Sequence, residues 1–274
     1  MAAIRASKTA KRQARKAIKL TDQKQKAPPL ISIPPLVPRN AAQRHYLHSL
    51  NNFAQVFGIG PAGTGKTYVA VHWAVQQVLD KKADKIIITR PMVSSDKSES
   101  LGYLPGNLAE KFGPWALPIM DVIERLIGKV KTADWLKTGA IEFAPFQMVR
   151  GRTFHEGAIV LLDEAQNCSI EQLKLFVTRL GDCRCIVSGD PQQADIKNSG
   201  LNTLMKMVSK HGIPASICNF GNEDVVRSKL CAAWVKAFDN KSAQTPKNDT
   251  ILVDTPAFYD PYPVHDHRYI LAAE

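Results

Sequence analysis

The sequence predicts an α/β fold in which helices cover both faces of a parallel sheet. Short apolar runs alternate with helical segments, and the runs are apolar at successive positions, as in strands buried on both sides. The chain has 274 residues, 45% of them hydrophobic, which suffices for one sizeable domain with tails. This composition excludes a wholly disordered chain, a collagen-like repeat and a coiled coil. No run of about eighteen apolar residues occurs, so we expect no transmembrane helix and no membrane partner.

Each predicted element follows from its apolar pattern. The six predicted strands are Gln55–Ile59, Lys85–Thr89, Ala140–Ala144, Ala158–Leu162, Arg184–Ser188 and Ala215–Asn219. The five predicted helices are Lys66–Leu79, Asn107–Leu126, Ser169–Leu180, Leu201–His211 and Asp224–Phe238. Ser169 is expected to cap its helix, because a serine hydroxyl can accept a hydrogen bond from an N-terminal backbone N–H.

The positive charge is concentrated at the N-terminus. The whole chain carries +11, with 36 basic and 25 acidic residues, and residues 1–26 hold nine of the basic residues but only Asp22 as an acid. This arm could neutralise nucleic-acid phosphates, serve as a targeting segment or act as a solubilising tail. We therefore predict a basic, disordered arm with a Pro-rich linker over 1–38, a folded domain over 39–240 and a Pro- and aromatic-rich tail over 241–274.

The cysteines indicate a reducing compartment. Five cysteines are scattered along the chain, which is an odd count and no disulfide framework. We expect reduced thiols and a cytoplasmic location. Cys183 and Cys185 are interpreted as buried thiols rather than a metal pair, whereas a metal site at His265 and His267 is a weaker alternative. The four tryptophans are assigned to the core rather than to base-stacking platforms: Trp73, Trp115, Trp135 and Trp234.

The first chemical motif is a phosphate-binding loop between a predicted strand and a predicted helix. It reads Gly60-Pro61-Ala62-Gly63-Thr64-Gly65-Lys66-Thr67 and matches the pattern G-x-x-x-x-G-K-[ST] in full. Glycines allow backbone N–H groups to surround the phosphates, and the following helix adds a positive dipole end. We expect Lys66 to reach the β- and γ-phosphates of a bound nucleotide and Thr67 to ligate Mg²⁺.

The second motif places two acids directly after an apolar strand. Asp163 and Glu164 follow Ala158–Leu162, and a carboxylate at the carboxyl end of a strand neighbouring the phosphate loop lies where the metal must be. We expect Asp163 on the metal side and Glu164 to orient and polarise the attacking water. Such a glutamate is typical of hydrolysing motors, whereas nucleotide kinases do not need it.

A third strand also ends in polar groups. The segment Ile186–Gln193 contains Gly189-Asp190-Pro191, and its amides could sense whether a γ-phosphate is present. A plain Gly-Asp-Pro turn is the alternative interpretation of this segment.

These three motifs, in this order, resemble the cores of superfamily-1 helicases. A fuller set of motifs resembles the PhoH family, and the resemblance extends from about Pro38 to Phe238. The motifs that carry it are Thr89-Arg90-Pro91, Glu99, Leu101–Gly106, Met148–Thr153, Asp163–Asn167, Thr178–Gly181 and Asp224–Arg227. The resemblance implies a single RecA-like domain that hydrolyses ATP. Family members are linked to phosphate starvation and RNA metabolism, and many occur in phage genomes.

The resemblance also implies roles for single residues. Gln43 is similar to the glutamine that reads adenine in helicase cores, and Gln193 to the glutamine that contacts the γ-phosphate. The chain departs from the family after Gln193, where a shorter loop follows, and after Arg227, where Ser228-Lys229 replaces His-Pro.

Superfamily-1 helicases close ATP between two such domains, and the second domain supplies an arginine. This chain is expected to have only one such domain. An arginine finger can be worth about 10³–10⁵ in rate. We therefore expect a homo-oligomer, a hexameric ring in the favoured form, with ATP at each interface and the arginine supplied by a neighbouring subunit. Arg227 is the first candidate, Arg179 the second, and Arg150 and Arg152 follow.

Together these observations predict a Mg²⁺-dependent ATPase that moves on or remodels RNA or single-stranded DNA. An ATPase that remodels a protein partner and a nucleotide-dependent binding module that does not translocate are the alternatives. A nucleotide kinase is a more distant one, because no arginine-rich lid segment is evident.

Overall fold

The computed structural model describes residues 32–91 and 108–226 together with Trp234, and for residues 108–114 it describes the backbone alone. The predicted basic arm, the C-terminal tail, Arg227 and most of the predicted helix Asp224–Phe238 lie outside this part of the chain. Within the described residues, no helix is long and apolar enough to cross a lipid bilayer.

Six strands and six α-helices make up the described part of the chain. The strands are β1 (Gln55–Ile59), β2 (Lys85–Arg90), β3 (Ile141–Pro145), β4 (Ala158–Leu162), β5 (Arg184–Gly189) and β6 (Ala215–Asn219). The helices are α1 (Ala41–Asn52), α2 (Lys66–Leu79), α3 (Leu108–Ile127), α4 (Lys129–Thr138), α5 (Ile170–Val177) and α6 (Leu201–His211). All six predicted strands are present, with ends that differ by at most one residue.

The strands form one parallel sheet in the order β3-β2-β4-β5-β1-β6. The predicted α/β class is therefore confirmed, but one detail of the prediction is wrong. β4, which precedes Asp163, was expected to neighbour the strand before the phosphate loop, whereas β5 lies between β4 and β1. Apolar runs specify buried strands without specifying their lateral order, because every central strand has the same pattern.

Two apolar layers bury the faces of the sheet. On one face, α1 to α4 pack over Val56, Ile88 and Ile186. On the other face, α5 and α6 pack over Phe57, Val160 and Val187. The successive apolar residues of each strand thus alternate between two cores, which is why the strands lack polar positions.

Two helices were not predicted as such. Asn40 caps α1 by accepting a hydrogen bond from Gln43 N at 2.8 Å, and Tyr46 and Leu50 of α1 are buried. Helix α4 has only three large apolar residues, Val130, Trp135 and Leu136, and of these Trp135 is buried. A weak apolar stripe of this kind is easily missed, since tertiary packing rather than sequence periodicity secures the helix. The predicted cap of α5 is confirmed, because Ser169 and Gln172 form a capping box, although α5 ends three residues before Leu180.

The Pro-rich segment contacts the domain directly. Ile33 belongs to the buried core, Leu36 packs against that core, and His72 Nε2 lies 2.9 Å from the carbonyl oxygen of Pro34. Residues 32–38 form neither helix nor strand, as expected for this proline content. They nevertheless run along the domain surface instead of separating from it.

Candidate functional site

The phosphate loop connects β1 to α2 through glycines in the left-handed region. The φ angles of Gly60, Gly63 and Gly65 are 139°, 85° and 85°. A Cβ atom on Gly60 would lie 2.2 Å from the backbone oxygen of Phe220, so a side chain cannot fit there without moving backbone. The glycines therefore permit both the turn and its close approach to the segment that follows β6.

Lys66 folds over this loop. Its Nζ donates hydrogen bonds to the carbonyl oxygens of Gly60 at 2.6 Å and Pro61 at 2.7 Å, and it lies 3.3 Å from Thr64 Oγ1. The side chain is 8% exposed, so its ammonium is held at the inner surface of the loop. A positive charge in this position, beside the N-terminus of α2, suits a polyphosphate.

Thr67 and Asp163 meet at the carboxyl edge of the sheet. Thr67 Oγ1 donates a hydrogen bond to Asp163 Oδ1 at 3.1 Å, although the two residues are 96 positions apart. Burial raises the pKa of Asp163 to about 6, the nearby Glu164 carboxylate adds to the rise, and Arg90 and Thr67 oppose it. A hydroxyl and a carboxylate are the hard oxygen ligands that Mg²⁺ prefers, and two protein ligands leave room for waters and phosphate oxygens. The residues present therefore fit the expected ion, and no group of three His, Cys, Asp or Glu side chains elsewhere in the described ranges could hold a metal.

Glu164 adopts a strained backbone conformation and is held by two partners. Its φ is 54°, in the left-handed region that non-glycine residues rarely occupy. Arg90 donates from a guanidinium nitrogen to Glu164 Oε1 at 3.1 Å, and Gln166 Nε2 donates to Oε2 at 2.5 Å. Asp163 is instead bonded to Thr67, so the two adjacent acids have different hydrogen-bond partners in the site.

Gln166 joins the ends of β4 and β5. Its amide is buried, and while Nε2 binds Glu164, Oε1 accepts a hydrogen bond from the backbone N–H of Asp190 at 3.0 Å. Asp190 in turn accepts from Gln192 N at 3.0 Å and opens the turn that carries Gln193. Gln193 itself is exposed at the end of this turn. A chain of hydrogen bonds thus connects Glu164 to the turn that was predicted to sense the γ-phosphate.

Gln43 braces the phosphate loop from α1. Its Nε2 donates to the carbonyl oxygen of Thr64 at 2.8 Å, and its Oε1 accepts from Arg39 N at 2.9 Å. Val226 N also donates to Gly63 O at 3.0 Å, so the segment after β6 supports the same loop. Gln43 therefore lies beside the loop with both ends of its amide bonded to backbone, and its role in reading adenine stays a prediction.

One cavity of about 960 Å³ collects most of the predicted site residues, although Gly60, Pro61 and Thr64 are not in its lining. Its walls include Gln43, Lys66, Thr67, Asp163, Glu164 and Gln193, together with the phosphate-loop glycines Gly63 and Gly65. We call it the first cavity. Arg39, Arg90 and Arg125 also line it and had been given no role from the sequence. Arg90 had been noted only as part of a family motif, and Arg125 lies in no motif.

The candidate finger arginines lie elsewhere or outside the described residues. Arg152 makes a bidentate ion pair with Glu142 at the edge strand, Arg150 is exposed, and Arg179 is partly buried. None of these three lines the first cavity as far as the described residues define it. Arg227, the first candidate, follows the last described residue of this region.

A second cavity of about 570 Å³ adjoins the first. It is lined by Arg90, Pro91, Trp115, Glu164, Gln166, Asn167, Gln192, Gln193, Ala194 and Asp195. Arg90, Glu164 and Gln193 therefore border both cavities. Trp73 and Trp135 are in the core as predicted. The assignment to the core is wrong for Trp115, which is only partly buried, and for Trp234, which is 58% exposed. Helical periodicity places an indole on the inner face of a helix without showing that a cavity opens beside it.

The described cysteines agree with the expected thiols. Cys168, Cys183, Cys185 and Cys218 are all buried and free. His265 and His267 lie outside the described residues.

Comparison with known proteins gives consistent results. The profile of the PhoH family, described as PhoH-like protein, matches residues 35–239. Protein PhoH of Escherichia coli (strain K12) is 41% identical over 210 residues, which are 74% of this chain and 58% of that protein. The PhoH-like protein of Bacillus subtilis (strain 168) is 41% identical over 209 residues, 74% of this chain and 64% of that protein. The chain thus spans less than two thirds of the length of these relatives.

Solved structures give weaker similarities. The large terminase of a thermophilic bacteriophage matches at a TM-score of 0.42 with 10% identity, over 76% of this chain and 51% of that chain. The Pif1 helicase from Candida albicans matches at a TM-score of 0.38 with 16% identity, over 75% of this chain and 44% of that chain.

Proposed function

The chain belongs to the PhoH family and carries a P-loop NTPase domain, and from this premise we propose that it is a Mg²⁺-dependent ATPase acting on single-stranded nucleic acid. The contact between Thr67 and Asp163, with Glu164 beside it, is the observation that carries the proposal. It brings a metal-ligating hydroxyl, a metal-ligating carboxylate and a candidate base to one wall of the cavity that the phosphate loop opens.

Different residues of the first cavity have different roles in hydrolysis. Backbone N–H groups of the phosphate loop and the ammonium of Lys66 bind the phosphates, and Thr67 with Asp163 would hold Mg²⁺, which neutralises phosphate charge when bound. Glu164 orients the attacking water and accepts its proton. Gln166 positions the Glu164 carboxylate, and Gln193 contacts the terminal phosphate.

Nucleic acid is proposed as the partner because of charge and resemblance. The arm of residues 1–26 carries nine basic residues against one acid, a distribution suited to phosphate neutralisation. RNA and single-stranded DNA are both compatible with this chemistry. The four buried free thiols support the proposed reducing, cytoplasmic location.

The proposed active form is a homo-oligomeric ring in which a neighbouring subunit supplies an arginine. Within the described residues, Arg39, Arg90 and Arg125 line the first cavity of their own subunit, whereas Arg150, Arg152 and Arg179 do not. Supply in trans is proposed because superfamily-1 helicases, which the motifs resemble, take this arginine from a second domain. Arg227 remains the first candidate.

Steady-state ATP hydrolysis with and without poly(U) and poly(dT) tests the proposal. We expect Lys66→Ala to lower the rate on the order of 10²–10³-fold, since one preorganised charge on the transferred phosphate is lost. Lys206→Ala, an exposed lysine of α6, is the matched control and should keep the wild-type rate. Hydrolysis that survives Lys66→Ala would contradict the ATPase assignment, and hydrolysis that no polynucleotide stimulates would favour a protein client.

A mixing experiment tests the ring. Glu164→Gln subunits lack the base but keep Arg227, whereas Arg227→Ala subunits keep the base. If the arginine acts in trans, mixing the two inactive proteins restores part of the activity. If the mixture stays inactive while sedimentation shows mixed oligomers, the arginine acts within its own subunit.

A further inference from the structure

We propose that the second cavity is a subsite for a nucleobase of a single-stranded polynucleotide, stacked on Trp115. This inference rests on the proposed function, because it names where the nucleic acid meets the ATPase domain. The cavity opens at the carboxyl ends of β2, β4 and β5, next to the first cavity, and its volume of about 570 Å³ is in the range of ligand pockets.

Trp115 supplies the flat surface that a base needs. Its indole is only partly buried, and the guanidinium of Arg90 lies 5.8 Å from the ring centroid. Arg90 also donates to the Trp115 carbonyl oxygen at 3.5 Å, so the arginine is fixed against the helix that carries the ring. Indole rings and guanidinium planes are the groups on which proteins stack unpaired bases.

Amide groups surround this surface. Gln192 and Gln193 line the cavity and are exposed, and each carries both a donor and an acceptor, as the edges of bases do. Asn167 and Asp195 also line the cavity and hold each other, since Asn167 Nδ2 donates to Asp195 Oδ2 at 2.9 Å and Asp195 N donates to Asn167 Oδ1 at 2.8 Å.

The charges of the cavity favour a base over a phosphate. Glu164 and Asp195 oppose the single positive charge of Arg90 within the described lining. A phosphodiester would meet net repulsion there, whereas a neutral base would not. Phosphate neutralisation then falls to other parts of the chain, such as the basic arm.

The same subsite is connected to the catalytic glutamate. Arg90 contacts both the Trp115 ring and Glu164 Oε1, and its side chain is 20% exposed. A base that stacks on Trp115 changes the surroundings of Arg90 and, through it, the position of Glu164. Occupancy of the second cavity therefore alters the rate of hydrolysis in the first.

Binding of two labelled twelve-nucleotide probes to the full chain, dT₁₂ and an abasic strand with the same backbone, tests the inference. Wild-type protein should bind dT₁₂ about 5- to 150-fold more tightly, which corresponds to the ~1–3 kcal/mol of one base–aromatic stack at 1.4 kcal/mol per tenfold. Trp115→Leu should lose most of this preference, and Trp115→Phe should retain it. Phe53→Leu, an exposed aromatic before β1, should behave as wild type.

Each other outcome has a definite meaning when ATP hydrolysis is measured on the same samples. Equal binding of both probes by wild-type protein, or a preference that survives in folded Trp115→Leu, overturns the subsite while the ATPase proposal stands. Failure to bind either probe also overturns it. Base preference without ATP hydrolysis overturns the proposed ATPase and leaves the subsite. Displacement of dT₁₂ by uridine at equal base concentration would assign the cavity to free nucleosides and overturn the polynucleotide assignment.

Discussion

The two cavities share the wall formed by Arg90 and Glu164 but differ in the chemical groups that line the rest of each cavity. The first combines side chains such as Thr67 and Asp163 with the backbone of the phosphate loop, which has glycines at positive φ and carbonyl groups that hold Lys66. The second is lined by side chains, with an indole, a guanidinium and several amides around it. The fold holds the backbone groups of the phosphate loop in place, whereas the side chains that line the second cavity can be altered by single substitutions. Substitutions along the shared wall should therefore separate chemistry from recognition.

The largest effect is expected at Glu164. Glu164→Gln should lower ATP hydrolysis about 10²–10⁴-fold, because the amide cannot accept the proton of the attacking water. Nucleotide affinity should change little, since the phosphate loop and Thr67 are untouched. Turnover and equilibrium binding of ADP, each measured beside the exposed control Glu156→Gln, check this expectation. A parallel loss of ADP affinity would mean that Glu164 supports the first cavity structurally.

The second prediction concerns Asp163, where a substitution is expected to stabilise the folded chain. Burial raises the pKa of Asp163 from 3.8 to about 6, so ionisation of this carboxyl opposes folding. The penalty is absent below pH 3.8, grows up to about pH 6 and is complete above it. Without nucleotide or metal, Asp163→Asn should therefore raise the free energy of unfolding by about 2–3 kcal/mol at about pH 7.5.

Denaturant unfolding in EDTA at about pH 7.5 and about pH 4 measures this gain. It should shrink sharply at the lower pH, because the folded chain is then almost fully protonated at this residue and the unfolded chain is about 40% protonated. Asp121→Asn, an exposed acid on α3, is the control and should have little effect at either pH. A destabilised Asp163→Asn at the higher pH would show that the hydrogen bond from Thr67 outweighs burial of the charge.

Substitution of Gln166 tests the hydrogen bond that holds Glu164 in the shared wall. Gln166→Leu leaves the buried N–H of Asp190 without its acceptor and removes a donor from Glu164. We expect a loss of about 1–3 kcal/mol in stability, with a fall in hydrolysis that the exposed control Gln147→Leu does not show. Hydrolysis that falls while stability is unchanged would assign Gln166 to positioning Glu164 alone.

The sequence predicted one cavity better than the other for a physical reason. The phosphate loop, Thr67, Asp163 and Glu164 are adjacent to strand ends and follow local patterns, so their position follows from parallel strands alone. Arg90, Trp115 and Gln192 come from three separate elements, and only the tertiary fold brings them together. The lateral order of the strands was missed for the same reason, because it depends on packing between elements distant in the chain.

The smallest effect is expected for a substitution of Tyr46, which packs on the sheet. Tyr46 is fully buried, its ring approaches Gly58, and its hydroxyl lies near that of Ser188 without a well-formed hydrogen bond. A buried hydroxyl without a partner costs free energy, so Tyr46→Phe should be neutral or stabilising by up to about 1 kcal/mol. Chemical denaturation of Tyr46→Phe beside Tyr68→Phe, an exposed tyrosine of α2, measures the difference.

A loss above about 1 kcal/mol in Tyr46→Phe alone would show that its hydroxyl is bonded in solution. Ser188 is the first candidate partner, because its hydroxyl is also buried and makes no hydrogen bond within the described part of the chain. The two hydroxyls would then form a buried polar pair within electrostatic reach of Asp163.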